Sequence, residues 1–395
     1  MWDVTTTRFR KQSAVRSSSE KMNRRLSTEE AARSKAWSLR NGAPGTLLER
    51  LSRSQKRCRP ISTLVARLST HGAAIIQRPS QFASSPKRSC PKFDVPTPNG
   101  PVACPAKDLT SFAKTFTGVL GVSAVHLETG EQVAYNSDHP LLTASTFKSI
   151  LLVSLLEMVD VQKLSLDDRI TFTATKRVAG SGVLKLMRSD TEVSIGDLAV
   201  LMITISDNTA SQMLFDVVGH DRIQHTIDRL GLTRTRIPLS PKEMLLGIVG
   251  LDASMGPVAF DLSMERLLNR EYDFESRAYS SEGNISTPAD MCRLFRRIHN
   301  NEVLSCESKR TFLDIHKGQQ LRTVIPHRLP AGTVCAHKTG QFELVSCDVG
   351  IVYSRHGPYA IALMANGARG DRIEVNAALA ALSRRVFDEF NGPEA

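Results

Sequence analysis

Apolar positions along this chain alternate between strand-like and helix-like periods, and the changes predict its elements. Gly118–Leu127 and Gln132–Tyr135 read as a strand pair folded about the turn Glu128-Thr129-Gly130-Glu131. Three further strands are predicted near 332–338, 344–353 and 358–365. Ser149–Met158 is apolar nearly all round, the pattern of a buried helix, and Ile195–Ile205 is a second apolar helical segment. Phe112–Phe116 suggests an opening helix. Ile373–Phe390 reads as a closing amphipathic helix with Ile373, Ala377, Leu379, Leu382, Val386 and Phe390 on its apolar face. Helices and loops fill the middle to about residue 316. Strands at both ends of a helical middle imply an α+β fold: a mixed antiparallel five-stranded sheet flanked by helices, with an inserted all-α lobe. No internal repeat is visible.

Charge divides the chain. Residues 1–100 carry 20 Lys and Arg against 6 Asp and Glu, whereas the remaining residues carry 31 against 34. The basic character therefore belongs to a Ser/Arg-rich segment with few apolar bursts, expected over residues 1–105 as disordered or processed, with a single domain over 106–395. An Arg-rich, Ser-rich, acid-poor segment also suits a transit peptide. A misassigned start is a third reading, although no Met lies between Met22 and Met158. Nucleic-acid binding would rest on charge alone and is not expected, since no aromatic interleaving or motif accompanies it. There is neither a secretory h-region nor an apolar run long enough for a membrane helix, so location stays unassigned. The seven cysteines form no C-x-x-C pair, and the ten histidines show no metal-ligand spacing. Cys335 and Cys347 flank one predicted strand turn without implying a disulfide. No metal and no cofactor are expected.

Three short motifs carry the chemistry. Ser145-Thr146-Phe147-Lys148 stands at the start of the buried helix, so its serine and lysine share a face. A serine hydroxyl needs a neighbouring base, and burial pushes a lysine toward its neutral form. Ser206-Asp207-Asn208 follows the second apolar helix, and Lys338-Thr339-Gly340 lies on a predicted strand. Taken singly, each has a bland reading as a helix cap, a polar loop and a hairpin lysine.

In this order and context the three motifs resemble the class A serine β-lactamases and penicillin-binding serine hydrolases. The longer stretch Met202–Ala210 is similar as well. The resemblance covers nearly all of residues 106–390 and implies a serine hydrolase that opens β-lactam rings through an acyl-enzyme. In it Ser145 is nucleophile, Lys148 general base and Ser206 proton relay. Asn208 meets the substrate's side-chain amide, and Lys338 and Thr339 meet its carboxylate. The N–H groups of Gln341 and Ser145 form the oxyanion hole. Asp207 is mostly structural. The partner is a small β-lactam or peptide-like molecule, and a monomer is expected.

Deacylation in class A enzymes uses a Glu within E-x-x-L-N. Glu265-Arg266-Leu267-Leu268-Asn269 fits that pattern, but it lies far past the Ser-Asp-Asn motif, beyond an apparent insertion at Ile237–Leu262 expected as a lid or irregular loop. Glu243 is nearer the usual spacing without the Leu-Asn context. Glu265, Glu243 or neither can be the deacylating group. The strand after Lys-Thr-Gly lacks the family's frequent Arg at Ser346-Cys347-Asp348, which leaves Arg369 or Arg372 as replacements or as surface residues. These departures keep open a D,D-peptidase-like or other acyl hydrolase with poor lactam turnover, or a catalytically weak penicillin-binding protein.

Overall fold

The structure is a computed structural model that describes residues 116–256 and 258–392. In chain order its strands are β1 (Val119–His126), β2 (Gln132–Tyr135), β3 (Leu141–Leu142), β4 (Arg169–Phe172), β5 (Thr191–Ser194), β6 (Ile285–Ser286), β7 (Val334–Phe342), β8 (Val345–Ser354) and β9 (Gly357–Asn366). Its helices are α1 (Lys148–Asp160), α2 (Ile195–Thr204), α3 (Asn208–Val218), α4 (His220–Arg229), α5 (Pro241–Ile248), α6 (Val258–Leu268), α7 (Pro288–His299), α8 (Cys306–Lys317) and α9 (Arg372–Asn391).

The main sheet has the order β2-β1-β9-β8-β7, and every pairing in it is antiparallel. Period-two alternation gives it two buried faces. Tyr359, Ile361 and Leu363 of β9 point to α9, where Leu379, Leu382, Val386 and Phe390 complete one core. Ala360, Ala362 and Met364 point the other way and join Val349 and Ile351 of β8 in the larger core, which includes the interior of α1 and α7. β7 is an edge strand, and its free side meets the turn that opens α1. The sheet and the interrupting helical lobe agree with the expected architecture.

Departures have local causes. Ile237–Leu262, expected as irregular, contains α5, a 3-10 turn at Ala253–Met255 and the start of α6. Ser240 and Glu243 form a complete capping box at α5, and Pro241 takes its first position. The proline that looked like a loop marker is thus a helix starter. The small sheets β3–β6 and β4–β5 were not predicted. Ile373, expected on the apolar face of α9, is exposed. Cys335 and Cys347 are buried free thiols that join the two different cores, on opposite faces of the sheet. The helix suggested at Phe112–Phe116 falls outside the described residues except for Phe116, as does the basic segment 1–105.

Candidate active site

The chain enters the turn that carries Ser145 through Ala144, at φ +44°. Ser145 then sits in a single 3-10 turn, Ala144–Phe147, that runs into α1 at Lys148. Residues three apart eclipse in a 3-10 turn, so Ser145 and Lys148 lie on one side of the entry. Lys148 is completely buried. Its Nζ donates to Ser206 O at 2.9 Å and to Asn208 Oδ1 at 2.8 Å, and lies 3.1 Å from Ser206 Oγ. Burial, helped by the neighbouring Lys338 cation and opposed by Asp207, holds this amine well below the ordinary lysine range.

Ser206 is itself left-handed, at φ +58°. Asp207 fixes the bend that follows. One of its carboxylate oxygens accepts from Ala210 N at 3.0 Å and caps α3, while the other accepts from Val183 N at 2.7 Å and Leu184 N at 2.8 Å. Asn208 donates to Ala179 O at 2.9 Å, so the loop before β5 is tied to the same motif from two directions.

The opposite wall is β7. A Cβ built on Gly340 would stand 2.6 Å from Thr143 O, 2.8 Å from Ser145 N and 2.9 Å from Thr146 N. Only glycine lets the strand press its backbone against the Ser145 turn. Lys338 and Thr339 are buried. Lys338 Nζ donates to Thr339 O at 2.7 Å, and burial pushes its amine down to about 7, with Asp348 acting the other way. The side chain of Gln341 donates to Asn376 Oδ1 on α9 at 3.1 Å.

Ser145, Lys148, Ser206, Asn208, Lys338, Thr339 and Gln341 therefore come from two elements of the lobe and one strand edge that meet. Glu265 does not join them: it is exposed on α6. Glu243 is exposed too, and its carboxylate accepts from Ser240 N in the capping box. Among the described residues neither carboxylate hydrogen-bonds Ser145, Lys148, Ser206 or Asn208. Arg372 lies 3.9 Å from Glu343, and among the described residues no hydrogen bond joins Arg369 or Arg372 to Lys338 or Thr339.

The model of the Beta-lactamase enzyme family matches residues 105–390, most of the chain and all of the elements above. The chain belongs to that family. Its fold is the class A β-lactamase fold, shared with a β-lactamase from Sphaerobacter thermophilus at TM-score 0.62 and 24% identity, over 74% of this chain and 100% of that one. It is shared equally with a mutant of PBP-A in an acyl-enzyme complex with penicillin G, at TM-score 0.61 and 23% identity over 75% and 100%. In sequence the chain is similar to β-lactamase L2 of Stenotrophomonas maltophilia, 27% identical over 132 residues, which are 33% of this chain and 43% of that protein. The chain thus aligns with less than half the length of this relative.

Sequence reasoning missed two buried histidines beside this family site. His316 of α8 lies 2.9 Å from Ser149 Oγ through Nε2, and burial drives its ring down to about 3. His337, next to Lys338, lies 2.9 Å from Asp348 through Nδ1. The available signal was the apolar setting of a His-Lys pair in one strand.

Proposed function

We propose that the chain is a serine hydrolase that opens β-lactam rings through an acyl-enzyme on Ser145. The setting of Lys148 carries the reading. A neutral amine there donates two N–H groups, to Ser206 O and Asn208 Oδ1, and keeps its lone pair as a base. Ser145 Oγ attacks the lactam carbonyl and its proton passes to Lys148. The carbonyl oxygen takes the negative charge opposite the Ser145 and Gln341 N–H groups, donors of a kind worth about 2.7–4 kcal/mol each. The C–N bond then breaks, and the nitrogen takes a proton from Ser206 Oγ, which Lys148 replenishes. Lys338 and Thr339 receive the substrate carboxylate, and Asn208 its side-chain amide. Water finally cleaves the ester and frees Ser145.

The test mixes the protein with a chromogenic cephalosporin and follows colour together with intact mass. The parent is expected to add one acyl group and to clear it. Ser145→Ala should lose labelling by a factor of about 10³ or more while staying folded. An adduct on another serine would overturn the assignment.

A second reading has its own support. Glu265 and Glu243 are both exposed and apart from the cluster, which suits an acyl-transferring, D,D-peptidase-like or penicillin-binding protein that acylates and deacylates slowly. A parent protein that keeps its adduct for hours decides for that reading.

A further inference from the structure

Behind Lys338 lies a second polar unit that the reaction above does not use. Asp348 of β8 is directly opposite Thr339 in the register of β7 and β8. Its carboxylate is fully buried and accepts from Ile325 N at 2.9 Å. His337 Nδ1 reaches both of its oxygens, at 2.9 and 3.1 Å. The other ring nitrogen, His337 Nε2, is buried with no hydrogen-bond partner among the described residues. Gly350, paired with His337, makes room for the ring: a Cβ there would stand 2.7 Å from His337 Cβ.

The orphan nitrogen fixes the chemistry. A charged imidazole needs acceptors for two N–H groups, and this one has an acceptor for one. The geometry favours a neutral ring that gives its Nδ1–H to Asp348 and leaves the carboxylate its full charge. An uncompensated buried carboxylate is costly unless a cation stands nearby. Alternation places Lys338 on the other face of β7 from His337, and Asp348 is the carboxylate that favours the Lys338 proton. Among the described residues Lys338 hydrogen-bonds no carboxylate, and its Nζ donates to a carbonyl.

We propose that His337 and Asp348 are positioning residues that together supply a fixed counter-charge through the strand, which keeps Lys338 cationic and able to bind the substrate carboxylate in a site whose strand has no arginine. This rests on the reading of Lys338 as a carboxylate-binding residue. The other titratable groups around the pair are His316 on α8, Cys335 on β7 and Cys347 on β8; Tyr359 on β9 and Arg322 before β7 act on Cys335, and Lys148 on α1 stands beside Lys338. Arg322 is a cation, Lys148 is a neutral base in the proposed reaction, and the neutral imidazole, thiols and phenol carry no charge, so none of them replaces the anion.

The test follows Lys338 directly by ¹⁵N NMR of lysine-labelled full-length protein, with Lys338→Arg for assignment, alongside the pH profile of kcat/KM for penicillin acylation. In Asp348→Asn the Lys338 titration should move at least one pH unit lower. Its kcat/KM should fall at least about seven-fold further below the parent at pH 8 than at pH 5.5. His337→Asn keeps a donor at the Nδ1 position and should keep the parent's titration. An unmoved Lys338 titration in Asp348→Asn overturns the proposal. If that variant does not fold, the parent decides through its His337 ring nitrogens. A neutral ring with the proton on Nδ1 from pH 6 to 8 supports the unit, and an imidazolium over that range overturns it. If penicillin acylates neither protein, the proposed function falls while the Lys338 titration still settles this inference.

Discussion

Two buried lysines with lowered proton affinity face one site, and their tasks in the proposed reaction call for opposite charge states. Lys148 acts as a base once it has lost its proton. Lys338 binds a carboxylate while it keeps one. Acylation should therefore rise as pH climbs through the lowered Lys148 titration and fall again as Lys338, held down to about 7, discharges. A stopped-flow profile of penicillin acylation between pH 5 and 9 measures both limbs, and Lys338→Arg should extend the upper one. The same burial has a stability consequence. A lysine whose folded proton affinity is depressed destabilises the fold most below its folded titration, and the penalty fades as pH rises toward the unfolded value. Lys338→Met should thus raise Tm over the parent, and by more at pH 6 than at pH 9, while carboxylate binding is lost. A gain that grows with pH would contradict the assignment.

Contacts between elements hold the site together, and one of them is backbone against backbone. Gly340 lets β7 touch the Ser145 turn, so Gly340→Ala must push the strand off the nucleophile. Loss of about 2 kcal/mol or more is expected in chemical denaturation, with a fall in acylation that exceeds the effect of the stability loss at working temperature. Elements with a clear apolar pattern were legible in the sequence: β1, β2, β7, β8 and β9 from their apolar runs, and α1 from being apolar nearly all round. The motifs singled out Ser145, Lys148, Ser206 and Lys338 as candidates because the spacing within each motif is local. The rest depends on register and tertiary placement. His337 and Asp348 meet only because β7 and β8 pair as they do. The surroundings of Glu243 follow from a capping box that reads as a loop, and those of Glu265 from how α6 lies on the lobe. β4 and β5 are four residues each and lie far apart in the chain, too little pattern to predict a pair.

At the scale of the whole molecule, the family match begins at residue 105, and the positive charge precedes it. Removal of residues 1–100 should leave Tm within about 2 °C and the acylation rate within about two-fold of the full chain. Calorimetry and the cephalosporin assay check this, and a large drop in Tm would show that the segment contributes to the domain. No helix among the described residues is long and apolar enough to cross a membrane.

The glycine contact at the strand edge also marks where a bound ligand can join two parts of the molecule. The helical lobe carries Ser145, the sheet carries Gln341, and at Gly340 no side chain interlocks the two. In the proposed reaction an acyl group bonded to Ser145, with its oxygen held by both N–H groups and its carboxylate by Lys338, would rivet that seam. The ligand becomes a cross-brace, and amides of β7 and the α1 entry should exchange with solvent more slowly in the acylated protein than in the free one.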